Sequence, residues 1–170
     1  MTAPEDTRRD PPATDDERAT LQGFLDFHRD TLMWKCAGLS DEQLKARPLP
    51  TTDLSLLGLV RHLADVERSW FRRRVAGEDA PPIFYTEREP DADIDPPADA
   101  DPEADFAVWR AEVAACDAAV ADRRLDDTFR SGRGDTRSLR WLYGHMIEEY
   151  ARHNGHADLI RQAIDGATGE

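Results

Sequence analysis

The sequence predicts an all-α fold, a four-helix bundle with a long loop between its second and third helices. Two observations carry this. Four blocks place apolar residues three and four apart, the period of one helix face, and no block alternates as a half-buried strand would. Between the middle two blocks, Gly77 to Pro102 is rich in Pro, Asp and Ala, the composition of a connection with little regular structure.

Residues 1–14 are rich in Pro and charge and read as a flexible N-terminal tail, which leaves one domain over 15–170. The first helix starts near Asp15. Leu21, Phe24, Leu25, His28, Leu32 and Cys36 form its stripe, "TDDE" supplies a cap and an acidic first turn, and Gly38 stops it. "SDEQL" predicts a short capped turn of helix, ended by Pro48 and Pro50. The second helix runs from about Ser55 to Val75 on Leu59, Leu63, Val66 and Trp70, with Arg61, Asp65, Arg68 and Arg72 on a flank expected to face water. The third spans about Glu103 to Arg123 on Phe106, Trp109, Val113, Cys116 and Val120. "SGRGDTRS" reads as a Gly-rich turn, Thr136 or Ser138 as the cap of the fourth helix, and Leu139 to Ile164 as that helix.

Composition excludes several functions. A net charge of −13 provides no basic stripe for nucleic acid and disfavours anionic lipid. No apolar run reaches the ~20 residues of a membrane-spanning helix, and the N-terminus has no apolar core of a signal peptide. Cys36 and Cys116 form no CxxC pattern and read as buried thiols in a reducing cytoplasm.

Chemistry concentrates in "HMIEEYARHNGHADLIRQ", His145 to Gln162. Glu149 and His153 are four apart and share one helix face, whereas Glu148 shares a face with Arg152 as a solvent-side pair. That division points Glu149 inward. His62, between Leu59 and Val66, lies at the edge of the second helix's apolar stripe. A histidine from one helix meeting Glu149 and His153 from another supplies three ligands and an open metal position. Spacing alone leaves a packed polar patch or a hydrogen-bonded core histidine equally open. His145 and His156 extend the same broad face by a turn each way, as further ligands or hydrogen-bond partners. His28 reads as structural or pocket-lining.

"GLSDEQLKARPLPTTDLSLLGLVRHLADVERSWF" and "SLRWLYGHMIEEYARHNGHADLIRQAIDGATGE" resemble the DinB-like superfamily, which includes mycothiol-dependent maleylpyruvate isomerase and related thiol S-transferases. The second match resembles an actinobacterial branch. Many members carry three histidine ligands, the last opening an HRGQ-like motif. Here "HNGH" stands in that place, so His153 matches the final ligand, His156 the glutamine position, and His62 in "LVRHL" the second-helix ligand. Glu149 departs from the all-histidine pattern and resembles the His, Glu, His triad of the isomerase branch.

The resemblance implies a divalent metal at His62, Glu149 and His153, zinc first with nickel or iron as alternatives, and an open position for a low-molecular-weight thiol. Mycothiol is the thiol that the actinobacterial likeness favours, acting with a small electrophile in S-transfer or isomerisation. Glu149, His156 and His145 are the groups expected to take part in catalysis. A homodimer stays open. Two other functions do as well: a non-catalytic metal- or ligand-binding bundle in a stress response, and a metal-dependent hydrolase.

Overall fold

The computed structural model describes residue 6 and residues 8–168. Its long helices are α1 (Glu17–Cys36), α3 (Leu56–Glu67, continued by a π-helical segment, Arg68–Ala76), α4 (Pro102–Val120) and α5 (Leu139–Asp165), with a short α2 (Asp41–Lys45) after α1. Asp16 accepts from the Ala19 N–H and caps α1, Ser40 closes a capping box with Gln43 on α2, and Asp101 precedes Pro102 at the start of α4. Ser138, and not Thr136, caps α5 by accepting from the Trp141 N–H.

α1 packs chiefly on α5, and α3 with its extension on α4, while α3 also meets α5. Leu25, Leu32, Leu57, Leu63, Leu142 and Met146 are among the fully buried side chains between them. Phe24, placed on the α1 stripe by spacing, is exposed instead.

Three features differ from the sequence expectation. The second predicted helix changes pitch after Glu67 into the wider π form, which the 3.6-residue apolar period does not mark. The Gly-rich turn is part of a small antiparallel hairpin, β1 (Thr128–Arg130) and β2 (Thr136–Ser138), where no strand was expected; each strand is only three residues long, too short for an alternation signal. Phe129 anchors the hairpin by packing its ring edge-on against Trp70.

The third difference concerns the 77–101 connection. It contains turns only, as expected, but it lies along α3 and covers the flank predicted to face water. Arg61 and Asp65 are buried. Arg61 donates to the Ala92 carbonyl and to Asp105 and stacks over Phe84, and Asp65 accepts the Ile83 and Phe84 N–H groups. Arg68 and Arg72 turn to Glu112 of α4. The polar flank binds the backbone of a loop that has no secondary structure of its own to satisfy it.

Of the expected tail, residues 1–5 and 7 lie outside the described residues. The Arg8 guanidinium sits over the Phe27 and Trp34 rings and donates to Thr31, so this part of the chain runs along α1.

Candidate metal centre and the pocket beside it

Position 58 must be glycine for the site to form. A Cβ there would lie 2.2 Å from the Ile94 carbonyl oxygen, so only a bare backbone lets the connection press this closely on α3. One turn further along α3, His62 meets the residue that this approach delivers. Asp93 Oδ2 is 2.8 Å from His62 Nδ1. Burial alone would raise the Asp93 carboxyl, but the hydrogen bond and charge of His62 outweigh it and hold the pKa below the ordinary value. With Nδ1–H donated to Asp93, the second ring nitrogen of His62 is the one free to bind a ligand, the carboxylate–histidine arrangement common behind metal sites. Asp93 was not found from sequence. Nothing in a Pro/Asp-rich loop distinguishes it from its acidic neighbours until Gly58 is seen to seat the loop.

α5 brings up the other residues. The His62 and His153 rings are 4.9 Å apart, edge to face. His153 Nε2 is 3.7 Å from Glu149 Oε2, too long for a hydrogen bond. Among the described residues His153 Nδ1 is buried without a partner, as is His156 Nδ1, and the His156 ring is 5.4 Å from that of His153. Burial first, then the neighbouring His62, His156 and Arg152 charges, push the His153 pKa from 6.5 down to about 4. A neutral imidazole with an unmet nitrogen beside a second imidazole and a carboxylate has the donor set a divalent cation takes. His62, Glu149 and His153 therefore fit such an ion.

His145, one turn before Glu149, stacks on Trp141 and meets Trp70 edge-on. Its Nε2 is 3.5 Å from Glu149 Oε1 and its Nδ1 3.6 Å from Glu148 Oε2. Among the described residues, His145, Glu148 and Glu149 are the group whose ligand atoms already lie within 4.8 Å of one another. That set is closer in space than the cross-helix one, yet weaker as a site. Glu148 is exposed and engaged by Arg152 at 2.6 Å, as the spacing predicted, and no carboxylate orients His145 from behind through a short hydrogen bond.

His28 is half-buried and its ring nitrogen lies 3.4 Å from Asn154 Nδ2; Asn154 also donates to the His28 carbonyl, a tie between α1 and α5. Cys36 and Cys116 are both buried, and burial pushes both thiols up, Cys36 to about 12. Neither is poised as a thiolate.

A cavity of about 420 Å³ opens at His145, lined also by Trp70, Trp141 and the hairpin. A larger one, about 670 Å³, lies between α1 and α4 beside Arg29 and Trp109 and touches no histidine. Chemistry, and not size, makes the first the relevant one.

No helix of the described residues is long and apolar enough to cross a membrane. No curated protein matches the chain. The family model described as mycothiol-S-transferase matches residues 20–166, which include His62, Asp93, His145, Glu149, His153 and His156. The chain belongs to the mycothiol-S-transferase family.

Proposed function

We propose that this protein is a metal-dependent S-transferase that uses mycothiol to attack a small electrophile, with His62, Glu149 and His153 as metal ligands in the core of a four-helix bundle. The observation that carries the reading is the meeting of His62 and His153 from two helices, with Asp93 behind the first and the buried Nδ1 of the second without a partner among the described residues. Family membership supports the thiol. Zinc suits two imidazoles and one carboxylate, and nickel or iron would fit the same donors. The two buried, uncrosslinked thiols suit a reducing cytoplasm.

When bound, the cation supplies the positive charge that favours thiolate over thiol near neutral pH. The protein does the rest. Asp93 holds the His62 ring by its Nδ1–H. Glu149 contributes negative charge to the ligand set, which leaves the thiol sulfur more electron-rich than three imidazoles would. His145, beside Glu149, and His156, beside His153, are placed to receive the thiol proton and return it. Sulfur forms a new bond to the electrophilic carbon, the leaving group departs with its bonding pair, and the proton neutralises it. With an activated olefin the same groups allow addition, rotation about the new single bond and elimination, which is isomerisation and returns the thiol.

The test is thiol-dependent consumption of an electrophile such as monochlorobimane by zinc-loaded protein, run beside Glu149→Gln and Cys36→Ala. The reading expects activity to need thiol, to fall on the first substitution and to survive the second. Turnover in water without thiol would assign a hydrolase, and zinc binding without turnover a binding protein.

A further inference from the structure

The cavity at His145 has a composition at odds with the rest of the molecule. The chain carries −13, yet this pocket is lined by three guanidinium groups, Arg74, Arg133 and Arg137, against one carboxylate, Asp135. Arg74 hydrogen-bonds the Ser69 carbonyl and hydroxyl and no carboxylate among the described residues, with its charge over the Trp70 ring at 4.6 Å. It reaches under the hairpin turn at Gly132, where a Cβ would stand 3.0 Å from the guanidinium. Arg137 lies over the Trp141 ring at 5.0 Å and pairs with Asp135 at 3.1 Å, a solvent-exposed contact too weak to use up its charge. Arg133, on the exposed turn, has no side-chain partner among the described residues.

The aromatic groups are as specific. The Trp70 and Trp141 rings are 5.7 Å apart and tilted at 56°, with His145 stacked on Trp141 at 5.0 Å and 15°. Trp141 is 42% exposed, a large apolar surface presented to the cavity mouth. At about 420 Å³ the space suits a small molecule and not a peptide. His145 closes its inner side, 3.5 Å from Glu149. A molecule bound there lies one carboxylate away from His153.

We propose that this pocket selects the electrophile, and that it takes a planar or aromatic molecule bearing a carboxylate: the flat body packs against the exposed part of Trp141, beside the ring surface that His145 and Arg137 cover, and the arginines of β2, the turn and the π-helical segment hold the anion. This rests on the S-transfer reading above and names its substrate class. Planar guanidinium groups favour carboxylate through paired hydrogen bonds, and the exposed aromatic surface of Trp141 favours the flat body. The hairpin thereby acquires a role: it carries Arg133 and Arg137 to the end of α5 where His145 stands.

The experiment uses the zinc-loaded full chain and reads tryptophan fluorescence during titration with 1-naphthoate and with neutral 1-naphthamide. Naphthoate should quench saturably and bind about tenfold tighter than the amide, the difference one charge-assisted hydrogen bond contributes. The preference should disappear in Arg133→Gln/Arg137→Gln, whose substitutions lie on an exposed hairpin, and unchanged thermal unfolding would show that the fold is intact. It should persist in His153→Ala, which removes a proposed metal ligand and leaves the pocket. In turnover assays naphthoate should raise the KM for the electrophile and not that for the thiol. Equal binding of acid and amide, a preference that survives the double substitution, or competition with the thiol would each overturn the proposal. The two readings fail separately. Selective naphthoate binding without thiol-dependent turnover removes S-transfer and keeps the pocket, whereas turnover without selectivity removes the pocket and keeps S-transfer.

Discussion

Two polar clusters are buried between the helices, and they are built on opposite terms. In the first, Arg29 of α1 grips Glu67 of α3 through two hydrogen bonds of 2.7 and 2.8 Å, and also reaches Asp26 and Asp117. The Tyr150 hydroxyl of α5 donates to Glu67 and accepts from Trp109 of α4. Glu112, nearby on α4, is met by Arg68 and Arg72. Four helices are tied and every charge in the set is answered. In the second cluster, His62 has Asp93 on one nitrogen, but His153 Nδ1 and His156 Nδ1 are buried with no partner among the described residues, and Glu149 stands beyond hydrogen-bond distance of His153. Unmet polar groups cost stability and persist in folded proteins mainly where a ligand or reaction uses them. The first cluster ties the helices together; the second keeps buried nitrogens without partners among the described residues, which the proposed metal would satisfy.

The largest effect should come from opening the closed cluster. Arg29→Ala would strand Glu67 as an uncompensated buried charge and cost about 3–5 kcal/mol, read as a large drop in the urea midpoint. Zinc content per folded molecule should be unchanged. A loss of less than about 1 kcal/mol would place this cluster with ordinary surface pairs.

Next comes acid. In the unfolded chain His153 takes up a proton near 6.5, whereas the folded protein keeps it neutral to about 4. Between those values the unfolded state binds more protons, so this contribution is complete above 6.5 and is lost as pH falls towards 4, by up to roughly 3 kcal/mol in metal-free protein. His153→Gln should flatten the stability profile across that window. A profile equally steep without His153 would assign the acid sensitivity to other groups.

Smaller again is the effect of the loop carboxylate. Asp93→Asn keeps the shape but weakens the hold on His62, and zinc affinity should fall by about 10–100-fold, measured by competition with a chelating dye. Unaltered affinity would mean that Asp93 merely fastens the loop. Smallest is Glu148→Gln, which breaks an exposed pair with Arg152 on the same turn as Glu149. Neither stability nor zinc affinity should change measurably, in contrast to Glu149→Gln.

Part of the second cluster was legible in the sequence. Periodicity placed the long helices because a helix that buries one face must repeat its apolar residues at that spacing, and the same geometry separated Glu149 from Glu148 and put His62 at the edge of the second helix's apolar stripe. What stayed hidden depends on contacts between distant segments. Arg61 and Asp65 look like solvent residues until the 77–101 connection lies on them. Asp93 is one acid among many until Gly58 admits the Ile94 carbonyl. Glu67 follows an apolar stripe as an unremarked acid, and its partner Arg29 comes from another helix. Of the three pocket arginines, Arg133 and Arg137 come from the hairpin and Arg74 from the π-helical segment, with no shared pattern, and they become a pocket only beside Trp70 and Trp141.

The central claim is that the metal site spans two helices and does not lie within α5 alone. Zinc content, measured by mass spectrometry on purified protein and after reloading, decides it when His62→Ala and His153→Ala are set beside Glu148→Gln. The account predicts about one zinc per chain in the wild type and in Glu148→Gln, and loss of bound zinc in both histidine variants while the helical circular dichroism is retained. Zinc kept in His62→Ala and His153→Ala but lost in Glu148→Gln would contradict it, and would move the metal to His145, Glu148 and Glu149.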